Sequence, residues 1–284
     1  MQETLFSLIL PTYNPGPDLP VTWGKLQQFL ATQTRRWEVL FVCDGCSDGT
    51  EAKLRELIAT CPYEIRLLCS PKNRGKGHAV RRGLLRARGD YRIFTDVDLA
   101  YPLEMVTKLA DELERGQDVV IASRAHVDSA IQHAAGMQKY LRQRQRQSAL
   151  FNLLARTILG IRQRDTQAGL KGFTDRAVRT MLPYVKCQGF GFDCELLVAC
   201  RYFGIPVREL PAQVIYDSTV STTRLTSGAA ILGELLTIRH RWRRFARVGL
   251  DRSILITAAD LEAARVYDQR RRERMQRRIQ QVQP

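Results

Sequence analysis

Short apolar runs alternate with segments of helical period along the first 123 residues. Residues 5–10 form an apolar run that stops at Pro11, the mark of a buried strand. Residues 37–43, 64–69, 91–95 and 118–123 repeat that pattern. Between them, residues 18–29, 50–60, 75–88 and 103–115 carry helical spacing, as where Ala52, Leu54, Leu57 and Ile58 fall on one side of a helix. Alternating strands and helices predict an α/β fold with a mostly parallel sheet covered on both faces. Right-handed crossovers bring the carboxyl ends of such strands to one edge, where open α/β sheets bind ligands. Polar stretches at 12–14, 44–48, 73–76 and 96–98 each follow a predicted strand, so all four are expected on that edge.

Beyond residue 123 the period changes. Residues 148–159 predict a helix with a stripe of Leu150, Phe151, Leu154, Ile158 and Leu159. Residues 165–173 read as a polar, glycine-containing segment, 190–203 as a loop that becomes a helix, and 207–216 as a strand. Residues 232–247 are amphipathic, with Leu235, Ile238, Trp242 and Phe245 on one side and five arginines around them. The arginine- and glutamine-rich stretch after Tyr267 reads as helix or disorder. The expected organisation is a catalytic domain at 1–225, with halves at 1–123 and 124–225, and a basic, amphipathic helical extension at 226–284.

Charge sharpens this division. Residues 137–164 hold seven bases and no acid, and residues 239–278 hold thirteen arginines against five acids. These surpluses of seven and eight account for the whole net charge of +15, leaving a neutral body with two cationic segments. Such segments suit phosphate-bearing substrates, anionic lipid or nucleic acid. No apolar run reaches the roughly 18 residues a membrane-spanning helix needs. Met1 to Glu3 give no basic start for a secretory leader. Seven cysteines, an odd number at irregular spacing, argue against a disulfide framework and for a reducing compartment.

Asp96 and Asp98 carry the first chemistry. Two carboxylates one residue apart at a strand end can share a hard divalent cation with phosphate oxygens. The cation would neutralise charge building on a diphosphate leaving group. Cys43-x-x-Cys46 lacks a second pair for zinc, Gly75 and Gly77 do not complete a dinucleotide fingerprint, and Lys76 lacks the spacing of a P-loop lysine.

The motifs Pro11-Thr12-Tyr13-Asn14, Asp44-Gly45-Cys46-Ser47-Asp48-Gly49-Thr50, Asn73-Arg74-Gly75-Lys76-Gly77 and Asp96-Val97-Asp98 resemble the nucleotide-binding half of family 2, GT-A type glycosyltransferases. Ser123-Arg124-Ala125-His126, the seven residues from Asp165 to Lys171, and Phe192-Asp193-Cys194-Glu195-Leu196-Leu197 are similar to the dolichyl-phosphate glucosyltransferase and dolichyl-phosphate mannose synthase branch. The resemblance covers residues 5–245. It implies a GT-A, Rossmann-like fold and inverting transfer of a hexose from a nucleotide sugar, UDP-linked rather than GDP-linked, with Mg²⁺ or Mn²⁺ and a polyprenyl phosphate acceptor. Pro11, Tyr13, Asn14 and Val97 would border the nucleoside, and Asp44 would accept hydrogen bonds from the base. Lys76 would lie near the base or diphosphate. Asp96 would contact ribose or metal, and Asp98 would ligate the metal. Arg124 and Arg144 would hold the acceptor phosphate, for which a guanidinium fork is suited. Asp165 and Asp193 are the candidates for the catalytic base, Asp165 the favoured one, and Gln167 would contact the donor. Two positions depart from the family pattern: Pro15 stands where Glu is usual, and Cys43-Asp44 where two Asp are usual.

The resemblance also implies work at the cytoplasmic face of a membrane. Residues 232–247 could lie on an anionic bilayer with Trp242 and Phe245 entering it, or pack on the catalytic body. A soluble or glycan acceptor, a catalytically inert scaffold and a nucleic-acid-binding tail are the competing readings. Few aromatics interleave the basic segments, which speaks against nucleic acid. The arginine-rich end also leaves room for pairing with a second copy.

Overall fold

The structure, a computed structural model, describes residues 4–133, 138–189, 191–216 and 228–248. Two compact units divide the chain, Met1–Arg243 and Arg244–Pro284. Among the described residues of the first unit, strands β1 (Leu5–Thr12), β2 (Arg36–Asp44), β3 (Ile65–Ser70), β4 (Tyr91–Phe94), β5 (Val119–Ser123), β7 (Lys171–Thr174) and β8 (Val207–Pro211) make one sheet, in the order β3-β2-β1-β4-β7-β5-β8. Strands β6 (Ala130–His133) and β9 (Gln213–Tyr216) form a second, two-stranded sheet.

The predicted α/β alternation is present. Helices α1 (Asp18–Thr32), α2 (Thr50–Ala59), α3 (Lys76–Arg86) and α4 (Leu103–Glu114) separate the first five strands. β1 and β2 are buried along almost their whole length, as expected of central parallel strands covered on both sides. Leu19, Trp23, Leu26 and Leu30 of α1 are buried at helical spacing against one face of the sheet. On α3, Gly83 lets the helix approach β1, since a Cβ there would stand 2.3 Å from Ile9 Cγ2.

Four differences from the sequence reading matter for the site. Pro11 does not end β1, because the strand continues to Thr12 in parallel register with β2. The segment read as polar and glycine-containing at 165–173 ends in β7, which inserts antiparallel between β4 and β5. That reversal sends the residues before β7 to the edge where β4 and β5 end. The strand expected at 207–216 is two strands separated by Ala212, β8 beside β5 and β9 beside β6. β6 and the short helix α6 (Asp175–Met181), followed by a 3-10 turn at Leu182–Tyr184, were not foreseen. α6 has a legible start, since the Thr174 hydroxyl accepts a hydrogen bond from Ala177 N.

Helix α5 (Gln138–Leu159) begins before the expected residue 148, in a polar stretch without apolar period. Helix α7 (Phe192–Tyr202) has Gly191 at its N-cap, so Asp193 sits inside the first turn and does not serve as the cap. The boundary expected at 225/226 lies outside the described residues. Helix α8 spans Gly228–Val248, and its residues up to Arg243 belong to the first compact unit. Trp242 is buried against Tyr202 and Phe203, so it does not enter a bilayer as one reading had it.

Two carboxylates, one of them fully buried, latch α8. Glu195 of α7 accepts from the amides of Lys186 and Cys187, from Trp242 Nε1 at 3.0 Å and from Arg241 Nη1. Glu234 of α8 accepts from Gly191 N at 2.9 Å. Removing Glu195 strands several buried donors at once. The variant Glu195→Ala should lose about 3 kcal/mol of stability in urea unfolding. A loss within the range of an ordinary surface substitution would contradict the latch.

Candidate active site

The four strand-end loops meet through side chains. Asp44, at the end of β2, is buried and fully engaged: Oδ2 accepts from Arg74 N at 2.8 Å and Gly75 N at 2.7 Å, and Oδ1 lies 3.0 Å from His78 Nδ1. The carboxylate expected to meet a base therefore holds the loop that delivers Lys76. Gly45 is required beside it. Its φ is +73°, and a Cβ would meet Asn73 N at 2.3 Å. Asn14, itself at φ 45°, accepts from Ser47 N and donates to Ser47 Oγ, joining the loops after β1 and β2. Tyr13 is exposed next to it, and Pro11 is buried in β1.

Lys76 Nζ stands 2.6 Å from Asp96 Oδ1, and both side chains are partly exposed. Burial opposes charge on Lys76, but the carboxylates of Asp96, Asp193 and Asp98 outweigh it and raise the lysine's pKa. Asp98 opens to solvent on its outer side, yet the protein crowding its carboxylate, and then the like charge of Asp96, push its pKa up. The turn is braced by Ala100 N donating to Asp98 Oδ1 and by buried Leu99 at φ 50°, a sparsely populated conformation for a branched side chain. Val97 has a structural part as well. Its carbonyl accepts from Thr22 Oγ1 of α1, and its side chain packs on the core.

The loop ahead of β7 closes the other side. Asp165 is buried and forked by Arg124, with Nε to Oδ2 at 2.8 Å and Nη2 to Oδ1 at 2.9 Å. It also accepts from Arg124 N and Gln167 N. Burial works to raise the Asp165 pKa, but the Arg124 bonds outweigh it and hold the carboxyl below the usual range. A carboxylate so occupied is poorly placed to take a proton, at odds with its expected part as base. Arg124 Nη2 bonds Gln167 O as well, while Nη1 has no partner among the described residues. Gly169 N donates to Tyr101 Oη, and a Cβ at Gly169 would stand 2.6 Å from Asp96 Oδ2. The loop carrying Asp165 therefore presses against the Asp96 turn.

Lys171 and Tyr101 were missed by sequence reasoning. Lys171 is fully buried on β7 and donates to Ala168 O and to Asp193 Oδ1 at 2.6 Å. Asp193 Oδ2 and the Gln167 side chain have no partner among the described residues. A lysine in a short strand between apolar residues carries no local sign that it is internal. Arg144 falls within α5 where side chains lie outside the described residues.

Among those residues no group of three or more His, Cys, Asp or Glu could hold a metal by itself. Asp96 and Asp98 do fit a cation whose remaining ligands are phosphate oxygens and water, as is usual for Mg²⁺ and Mn²⁺. The arrangement is thus an α/β cleft with paired carboxylates beside the loop that Arg124 holds through Asp165.

The family model for glycosyl transferase family 2 matches residues 7–180. The chain belongs to that family, with a GT-A type fold and glycosyltransferase activity. Dolichyl-phosphate beta-glucosyltransferase of Dictyostelium discoideum is 28% identical over 247 residues, covering 83% of this chain and 74% of that protein. The Saccharomyces cerevisiae protein of the same name is 30% identical over 227 residues, covering 74% and 66%. The human one is 29% identical over 216 residues, covering 72% and 65%. The chain thus spans between 65% and 74% of the length of these relatives. In fold it is similar to Mycobacterium tuberculosis glucosyl-3-phosphoglycerate synthase in complex with phosphoglyceric acid, with TM-score 0.55 and 18% identity over 84% of this chain and 80% of that one. The complex of that synthase with Mn²⁺, UDP and glucosyl-3-phosphoglycerate gives TM-score 0.51 at 17% identity, over 88% and 82%.

Arg124→Ala would leave Asp165 buried and unpaired and should cost about 3 kcal/mol at neutral pH. Because the Asp165 pKa in the fold lies below the ~3.9 of an unfolded Asp, its stabilisation exists above that value and is lost as pH falls through the folded pKa. The stability gap between wild type and Asp165→Asn should therefore narrow in acid unfolding series. A gap unchanged from neutral to strongly acidic pH would contradict the pairing.

Proposed function

We propose that the protein transfers a hexose, glucose, from UDP-glucose to the phosphate of a polyprenyl phosphate, with inversion and with Mg²⁺ or Mn²⁺. The observation that carries this reading is the placement of the Arg124–Asp165 fork on a loop pressed against Asp96. One cleft then offers carboxylates for a metal-bound diphosphate and, at Arg124 Nη1, a guanidinium edge for a second phosphate. Relatives named dolichyl-phosphate beta-glucosyltransferase support the acceptor and the sugar. Complexes of the fold neighbour with UDP and Mn²⁺ support the donor and the metal.

Asp96 and Asp98 would hold the metal, which supplies charge neutralisation for the departing diphosphate. Lys76, now paired with Asp96, stands where it can turn to that diphosphate. Pro11, Tyr13, Asn14 and Val97 border the nucleoside, and Asp44 acts by fixing the Lys76 loop. The acceptor phosphate is already an anion, so positioning rather than deprotonation limits its attack. One of its oxygens bonds to C1 of the sugar as the bond from C1 to the diphosphate oxygen breaks, releasing UDP. In this account Asp165 is a positioning residue that aims Arg124, and Gln167 reaches the donor. Asp193, with one oxygen on Lys171 and no hydrogen bond to the other among the described residues, is the carboxylate left for proton handling. A station on the cytoplasmic face of a membrane belongs to the same proposal.

Transfer of labelled glucose from UDP-glucose into a butanol-extractable polyprenyl phosphate product tests the reading. Chelation should abolish it and Mn²⁺ or Mg²⁺ restore it, and Asp98→Ala should lower kcat by about a hundredfold or more. Label that stays in water as a glycosylated soluble phosphate would favour a soluble acceptor; full turnover by Asp98→Ala would sink the metal assignment. For Asp165→Asn, acceptor KM should rise while the pH profile of kcat/KM keeps its shape. Loss of a profile limb would make Asp165 the base after all.

A further inference from the structure

Helix α5 is apolar on two sides. Phe151, Ala155 and Leu159, four residues apart, are buried against the body. Leu150, Leu153 and Leu154 lie on the far side of the helix and expose 59%, 57% and 40% of their surface. Three neighbouring leucines facing solvent on one helix side form a patch, unlike single surface apolar residues, which need no account. Along the chain, the charge of this segment has one sign. Arg156, Arg162 and Arg164 are exposed, and residues 137–164 contain seven bases and no acid. No described helix is long and apolar enough to cross a membrane, so α5 could engage a bilayer only along its surface.

We propose that the outer face of α5 docks on an anionic bilayer surface. Leu150, Leu153 and Leu154 enter the boundary between headgroups and acyl chains, and the arginines meet headgroup phosphates. Charge selects this occupant. The arginine-rich stretch at 239–278 has the same sign as the α5 segment, and a second copy of the chain would bring the same cations to the contact. An anionic lipid surface complements both the apolar centre and the cationic rim.

The inner side of the helix gives docking a consequence. Asn152 Oδ1 accepts from Thr166 N at 2.8 Å and from Thr166 Oγ1 at 2.6 Å, one residue from Asp165. A docked α5 holds the Arg124–Asp165 loop at the depth where a lipid-borne phosphate lies. This purpose rests on the acceptor proposed above; the docking itself does not.

Leu153→Trp reads the contact directly, because Trp23, Trp37 and Trp242 are buried and respond little. With mixed phosphatidylglycerol–phosphatidylcholine vesicles, its emission should shift to the blue and be quenched by brominated acyl chains. The triple variant Leu150→Asp, Leu153→Asp, Leu154→Asp should bind these vesicles about tenfold or more weakly, with UDP-glucose affinity by calorimetry unchanged as the control for folding. Co-sedimentation of Leu153→Trp with no shift or quenching would overturn the proposal, since another segment would then make the contact. A blue shift that grows with protein concentration without vesicles would also overturn it, in favour of a second copy. Quenching together with absent UDP-glucose binding would uphold the docking and sink the transferase reading.

Discussion

A buried ammonium group holds the site together. Lys171 lies on β7, paired in antiparallel register with Phe94 on one side and Ile121 on the other, and its side chain is fully buried. A charge in that position needs partners, because an unpaired ion inside a protein costs several kcal/mol. Ala168 O and Asp193 supply them, and the ammonium also lies 5.5 Å from the centre of the Phe94 ring. One side chain thereby fixes the inserted strand, the loop before it and the first turn of α7 relative to one another.

The remaining geometry follows from that convergence. With β7 locked between β4 and β5, its preceding loop must run along the edge where the parallel strands end, and Gly169 is what lets it pass so near Asp96. Charge then organises the cleft. Asp96 and Asp98 repel one another, and among the described residues Lys76 ion-pairs with Asp96 and also feels the charge of Asp193. Burial first, and then the like charge of Asp96, raise the pKa of Asp98. Two carboxylates one residue apart, with phosphate oxygens and water as further ligands, suit the coordination of a divalent cation.

Much of the fold over the first 123 residues was legible in the sequence because its signals are local. Apolar strands, helical periods and polar strand ends each lie within a few residues, and they brought Asn14, Asp44, Lys76 and Asp96 to one edge as expected. The part after residue 123 was less legible because its order is tertiary. β7 is four residues long and carries a lysine, so nothing nearby distinguishes it from loop; its place is set by the partners on either side. Asp165 stood out as a carboxylate in a telling motif, but its fork with Arg124 spans 41 residues and cannot be read from spacing. The Asp44 carboxylate looked available for a nucleobase because the amides of Arg74 and Gly75 that occupy it lie in another loop. The apolar face of α8 was seen correctly as a pattern, yet the buried Glu195 that claims Trp242 decided what the pattern meant.

The central claim is that Asp96 and Asp98 take the diphosphate through a metal while the Arg124–Asp165 fork serves the acceptor. A crystal structure of the protein with Mn²⁺ and UDP-glucose tests it most directly. The account predicts the metal on the Asp96–Asp98 turn, Lys76 released from Asp96 towards the diphosphate, and the fork between Arg124 and Asp165 unchanged. A diphosphate bound away from that turn, or Asp165 swung out of the fork to face the sugar, would contradict it.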